Sequence, residues 1–260
     1  MGEDILLKKP LIIAVAGKGG VGKTVITALL ADNISKNYDY KMLLIDADPA
    51  HPHLSNMVKL KPKKSLEEIR TDVIDKTLKK KKTAQNLAEV IDFEVYSSIA
   101  ESKEYSLFSL GQPEGPGCFC PSNTLLKKVI ESISQDFDVV LIDCEAGLEQ
   151  INRMVIESVD IVLIVTDISL RSIETANSIQ KRAKKFTKYK KLGIIINKVK
   201  GNIDTITEKL SILHLPIIGQ IPEDPAIIEF DLLGNSIIDI PENAPSKTAI
   251  NELLEALLKN

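Results

Sequence analysis

Eight residues, Gly17-Lys18-Gly19-Gly20-Val21-Gly22-Lys23-Thr24, carry the types and the spacing that bind phosphate. Glycines let the backbone wrap closely around an anion, and a helix opening within the loop adds free N–H donors and the positive end of its dipole. Lys23 is placed to reach β- and γ-phosphates, and the Thr24 hydroxyl to coordinate Mg²⁺. Gly19, Gly20, Val21, Gly22, Lys23 and Thr24 are therefore the expected ATP-binding set. Two further sets of acids, Asp46-Ala47-Asp48-Pro49 and Asp143, each follow an apolar run. Phosphoryl transfer depends mainly on positioning and charge stabilisation, so carboxylates close to a γ-phosphate fit that chemistry. Asp143 is expected to bind Mg²⁺ through water.

A second chemistry is offered by Cys118-Phe119-Cys120, inside the turn-rich stretch Gly111–Pro121. In an extended chain residues i and i+2 point to the same face, so both thiols can address one ligand. Their Cα atoms would lie about 6.5–7 Å apart, near the upper limit for a disulfide, and a metal accommodates that separation more easily. Two thiolates fill half of a four-ligand shell. Two copies meeting on a two-fold axis would supply all four. Four thiolates suit square-planar nickel or tetrahedral zinc, and both remain open. Cys144 stands alone and reads as structural; His51 and His53 read as residues of a surface loop.

The elements that must position these groups alternate short β-like runs with helical segments, the pattern of a mostly parallel sheet with helices on both faces. Strands are expected at Leu11–Ala16, Lys41–Ile45, Val139–Ile142, Ile161–Val165, Leu192–Ile196 and Pro216–Ile218, with a helix over Val21–Asn37. Near-continuous apolar strands imply burial on both faces. Polar residues gather at the strands' C-terminal ends, where open α/β sheets place ligands. Residues 59–88, which include four consecutive lysines at 79–82, read as a charged helical insertion with a solvated face. The expectation is one α/β domain over residues 1–260, with that insertion and a metal-binding loop at 111–121. The segment Lys247–Asn260 spaces Ile250, Leu253, Leu254, Leu257 and Leu258 as a helix that packs on the core.

The 260 residues are 44% hydrophobic and 27% charged, with a net charge of −3 and no tryptophan. Such a chain can bury a sizeable, mostly aliphatic core. Its charge argues against a protein that coats nucleic acid. Met1-Gly2-Glu3-Asp4 lacks the basic start of a secretory signal, and no window approaches the roughly 18–20 apolar residues of a membrane span. The expectation is a cytoplasmic protein without nucleic-acid or membrane partners.

Lys18, the extra lysine at the start of the loop, is the mark of the deviant Walker A ATPases, which include partition, division-site and nitrogenase-iron-protein-like members. The stretch from Gly111 to Cys120, with Asp143-Cys144-Glu145-Ala146-Gly147-Leu148-Glu149, closely resembles the CooC-type nickel ATPases within that class. The similarity continues through Asp167-Ile168-Ser169-Leu170-Arg171-Ser172 to Asn197-Lys198. It implies a P-loop NTPase fold and a homodimer in which Lys18 crosses to the partner's nucleotide. Asp48 would orient the attacking water, residues 143–147 would switch with the γ-phosphate, and Asn197 and Pro222 would hold adenine. It further implies Ni²⁺ or Zn²⁺ held by Cys118 and Cys120 of both subunits, and a client nickel enzyme, either carbon monoxide dehydrogenase or acetyl-CoA synthase. Two other functions within the class are an iron–sulfur reductase, which needs well-separated cysteines, and a partition or division-site ATPase.

Overall fold

Apolar runs of six or seven residues cannot build a stable helix but suit strands buried on both faces. The computed structural model of this chain describes residues 10–48, 53–72, 84–111, 128, 130–144 and 159–258. Within them the strands are β1 Leu11–Gly17, β2 Met42–Ala47, β3 Ala100–Glu101, β4 Ser106–Ser109, β5 Val139–Cys144, β6 Ile161–Thr166, β7 Lys191–Val199 and β8 Ile217–Pro222. The helices are α1 Lys23–Asn37, α2 Leu54–Met57, α3 Ala84–Ser98, α4 Leu170–Phe186, α5 Asp204–Ile212, α6 Pro225–Leu232 and α7 Pro245–Leu258. Backbone at 66–72 is also helical. All six expected strands run one to four residues past their expected C-terminal ends, four of them through to polar or turn positions. Those four end on Gly17, Ala47, Cys144 and Val199, so polar site residues lie within the ladder itself. The expected helix over Val21–Asn37 starts at Lys23, because Gly22 adopts the left-handed conformation and caps it.

The sheet runs β3-β4-β2-β5-β1-β6-β7-β8, and every pairing is parallel except β3 with β4. β1 is central, flanked by β5 and β6, and its chain leaves toward β2 on one side while β5 leads to β6 on the other. That reversal is the topological switch point at which open α/β sheets hold their ligands. Alternate side chains face opposite layers. Ala14, Ala16, Ile45, Ile142, Ile164 and Ile196 join one apolar layer with residues of α3, α4 and α5. Ile13, Val15, Leu44, Leu141, Leu163 and Ile195 join the other, covered by α1 and α7. Ile250, Leu253, Leu254 and Leu257 of α7 are all buried there, so the expected packing of the C-terminal helix on the core is met.

α1 and α7 are also joined by charge. Asp32 Oδ2 accepts from Lys36 Nζ at 2.9 Å and from Lys247 Nζ at 3.0 Å. Both ammonium groups also reach Glu242 Oε1, at 2.6 and 2.9 Å. Lys247 Nζ donates to the Ile238 carbonyl as well, at 2.9 Å, so its buried charge is satisfied, as burial requires. None of the described helices is long and apolar enough to cross a membrane.

Candidate functional site

β1 delivers its last residue, Gly17, against Val165 of β6, and the chain then turns through Lys18–Gly22 into α1. Gly20 and Gly22 take positive φ, 81° and 93°, which side-chain-bearing residues adopt only with strain. A Cβ on Gly22 would meet the Asn197 side-chain nitrogen at 2.5 Å. Only glycine permits that approach. α1 begins without a side-chain cap and without an acid in its first turn, leaving the first-turn N–H groups directed at the loop. Lys23 is 9% exposed and its Nζ donates to the Lys18 carbonyl at 3.3 Å, closing the loop on itself. The Lys18 side chain is half-buried, and its charge helps hold the Asp167 carboxyl below its ordinary value, opposing burial and adding to hydrogen bonds from Ser169 and Ser172.

The carboxylates converge beneath this loop. Asp46 and Asp143 are register partners on β2 and β5, and each is 1% exposed. Burial pushes Asp143 up to about 6, against a hydrogen bond from Thr24 and the nearby Lys23 charge, with Asp48 adding repulsion. Thr27 Oγ1 lies 3.4 Å from Asp143 Oδ1 and 3.0 Å from the Lys23 carbonyl. Burial pushes Asp46 further, to about 7, with the Asp143 charge next in size. Asp46 Oδ1 accepts from the Asp48 N–H at 3.2 Å and Oδ2 from the Leu54 N–H at 3.3 Å. One buried carboxylate thus pins both ends of the segment that carries Asp48. The Asp-x-Asp spacing marks Asp46 together with Asp48 in the sequence but not its role of pinning that segment, and nothing local marks Thr27. A hydroxyl at Thr24 and a deeply buried carboxylate at Asp143 form an all-oxygen donor set, which suits Mg²⁺.

The raised Asp46 value has a consequence for folding. The unfolded aspartate titrates near 3.8 and the folded one near 7, so the folded state without nucleotide holds a proton that the unfolded chain releases across that window. Its stability contribution is complete below about pH 4 and is lost as the pH rises toward 7. Asp46→Asn cannot ionise and should gain stability relative to the wild type between pH 4 and 7, read from urea midpoints at each pH. A difference that stays constant with pH would contradict this assignment.

Beside the loop, a cleft of about 150 Å³ is lined by Gly22, Val25, Asn197, Pro222 and Ile227 among others. Asn197, 6% exposed at the end of β7, donates from Nδ2 to the Val21 carbonyl at 2.8 Å. Its amide therefore braces the loop as well as facing the cleft. Asp224 caps α6 by accepting from the Ala226 N–H at 2.9 Å and receives Ser246 Oγ at 2.6 Å. Glu223 is paired with Lys200 at 2.6 Å. With both acids engaged, the cleft offers amide, backbone and apolar groups to a base, a set compatible with adenine.

Thus Gly19, Gly20, Val21, Gly22, Lys23, Thr24, Asp48, Asp143, Asn197 and Pro222 all lie at the C-terminal edge of the sheet, around one loop. Cys118, Cys120, His51 and the segment 145–150 lie outside the described residues. Cys144 is buried, and burial keeps its thiol well above the ordinary value, as suits an inert core residue. Among the described residues no group of three or more His, Cys, Asp or Glu could hold a metal ion.

A parallel sheet with this glycine loop at its switch point defines a nucleotide-binding ATPase. The chain belongs to the family of CobQ/CobB/MinD/ParA nucleotide-binding domains, whose model matches residues 12–237. It is 33% identical over 252 residues to an uncharacterised ATP-binding protein of Methanocaldococcus jannaschii, spanning 95% of this chain and 98% of the relative. It is 30% identical over 262 residues to the carbon monoxide dehydrogenase accessory protein CooC of Rhodospirillum rubrum, spanning 95% and 96%. Among solved structures, the septum site-determining protein MinD of Pyrococcus horikoshii complexed with Mg-ADP superposes with a TM-score of 0.68 at 22% identity, over 95% of this chain and 96% of that one.

Proposed function

We propose that this ATPase is a metal-delivery protein that binds nickel through Cys118 and Cys120 at the interface of a homodimer and assists nickel insertion into carbon monoxide dehydrogenase. The observation that carries it is the Cys-Phe-Cys pair, in a chain similar over nearly its full length to a carbon monoxide dehydrogenase accessory protein. Acetyl-CoA synthase is the alternative client of the same chemistry.

In this reading Lys23 and the loop amides of residues 19–24 hold the phosphates, while Asn197 and Pro222 hold the adenine. Thr24 directly and Asp143 through water hold Mg²⁺, which supplies charge neutralisation to the phosphates when bound. The Mg-ADP complex of the structurally similar MinD supports that cofactor. Asp48 positions the attacking water from a segment whose ends Asp46 fixes. Lys18 serves the partner's nucleotide. Closing the dimer on ATP brings two Cys-x-Cys pairs together into one four-thiolate shell, and hydrolysis halves the ligand count. Nickel is then cargo, taken up and released with the nucleotide cycle.

The test is metal titration with and without ATP, read by sulfur-to-metal charge-transfer absorbance and by oligomer size. One nickel per two chains is expected, and Cys118→Ala with Cys120→Ala should abolish nickel binding at this site, since no thiolate ligand is left, with ATP binding retained. Stoichiometric nickel on the double variant would remove the metal site. Similarity to MinD raises a second reading, a division-site ATPase. The basic amphipathic helix of a membrane-bound form must present its apolar face outward. Here α7 turns Ile250, Leu253, Leu254 and Leu257 into the core, which favours the metal-delivery reading.

A further inference from the structure

Consecutive residues of a regular strand point to opposite faces of the sheet, yet Asn197 and Lys198 at the end of β7 both reach the phosphate loop. Asn197 Nδ2 donates to the Val21 carbonyl at 2.8 Å, and Lys198 Nζ donates to the Gly20 carbonyl at 3.0 Å. Two features of the backbone make this possible. The β7–β8 register shifts between Ile196 and Val199, an irregularity of the kind that re-aims side chains. Lys198 itself has φ 56°, a left-handed conformation that residues with a Cβ adopt at a cost. The strain is localised at the one residue that must turn back over the loop.

We propose that Lys198 is a positioning residue for the nucleotide phosphates, acting through the loop backbone. None of the described peptides is cis, and in a planar trans peptide the carbonyl of residue i and the N–H of residue i+1 point in opposite directions. Drawing the Gly20 carbonyl toward Lys198 turns the Val21 N–H away from β7. Drawing the Val21 carbonyl toward Asn197 does the same for the Gly22 N–H. Two adjacent peptide planes are thereby set with their donors facing into the concavity formed between Gly20 and Gly22, the geometry in which successive N–H groups bind an anion. Lys198 does this from outside the anion site, with a charge-assisted hydrogen bond. It also lines the base cleft beside Asn197, so one turn of chain links the base end and the phosphate end of the ligand. Since it needs only nucleotide, the inference stands apart from the nickel reading.

The test uses Lys198→Gly, which keeps the left-handed backbone unstrained and removes the donor with its side chain, and Lys198→Arg, which retains a donor on a stem of similar length. Equilibrium binding of Mg-ADP, Mg-ATP and AMP is measured on the full chain, with the ³¹P resonance of the ADP β-phosphate as a direct probe of the loop. For Lys198→Gly, about a tenfold loss of ADP and ATP affinity is expected, the scale of one hydrogen bond to a charged group. AMP affinity should be kept within about twofold, and the β-phosphate resonance should move toward that of free ADP. Lys198→Arg should recover most of both. An unchanged Kd for ADP with an unmoved resonance would overturn the proposal. So would an equal loss for AMP and ADP, or a loss that arginine does not repair, since each describes a general weakening of the fold or cleft.

Discussion

Lys18→Ala should leave ATP bound with near wild-type affinity while hydrolysis falls by about a thousandfold, the scale of a positive side chain supplied in trans to a transferring phosphoryl group. The separation of the two effects follows from how the loop is built. Its own closure uses the Lys18 carbonyl, which accepts from Lys23 Nζ, and alanine retains that carbonyl. In the proposed site, binding in the same chain falls to the loop amides and Lys23. The Lys18 charge is instead felt, weakly, by Asp167 at the next strand end, so within one chain it has a carboxylate in its neighbourhood at the open edge of the sheet. In the proposed dimer it leaves that neighbour for the partner's phosphates. Mixed dimers provide the decisive measurement. A Lys18→Ala chain combined with an Asp48→Ala chain should recover part of the lost turnover, because the intact Lys18 of the second chain serves the intact site of the first. Undiminished hydrolysis by Lys18→Ala alone would exclude the role.

Gly17→Ala is expected to be the most damaging conservative change in the loop. A Cβ at Gly17 would sit on the Val165 carbonyl oxygen, far inside van der Waals contact, and would also press on Val21. That oxygen is backbone in the β1–β6 ladder, where Gly17 is in register with Val165. It can retreat only if the central strand pair separates. Overpacking of this kind costs on the order of 3 kcal/mol, and the strain falls where the phosphate loop leaves the sheet. The urea midpoint should drop accordingly, and nucleotide affinity should fall with it. Gly19→Ala is the control. A Cβ there meets nothing within 4 Å, so folding stability should stay within about 0.5 kcal/mol. Equal stability of the two variants would contradict the account of Gly17.

The parts of this molecule that could be read from sequence share a property: their cause is local. β1, β2, β5 and β6 announce themselves as unbroken apolar runs because both faces of each are buried. The glycine loop is legible because phosphate binding demands particular residues at fixed spacing. β4, Ser106–Ser109, carries two serines and only two apolar residues, so nothing local separates it from a loop. Its place beside β2 comes from pairing with Leu43–Asp46. α5 and α6 follow β7 and β8 in the same way, with little periodicity of their own. At the site, Asp48, Asp143 and Asn197 were legible as polar residues at strand ends. What each holds was not. Asp46 pinning Asp48 and Leu54, and Asn197 bracing Val21 across 176 positions of sequence, are facts of three-dimensional adjacency.

The union of α1 with α7 reaches into how the protein is made. α1 leaves the phosphate loop at residue 23, yet the apolar layer it faces is completed only by Ile250, Leu253, Leu254 and Leu257, and its far end is tied through Asp32 and Lys36 to Lys247 and Glu242. A growing chain emerges from its N-terminus, so α1 is made long before α7: Asn33 and Asn251, which are hydrogen-bonded, stand 218 positions apart. Contacts of such long sequence separation form late. Until α7 docks, α1 leads away from the phosphate loop with part of its apolar layer uncovered.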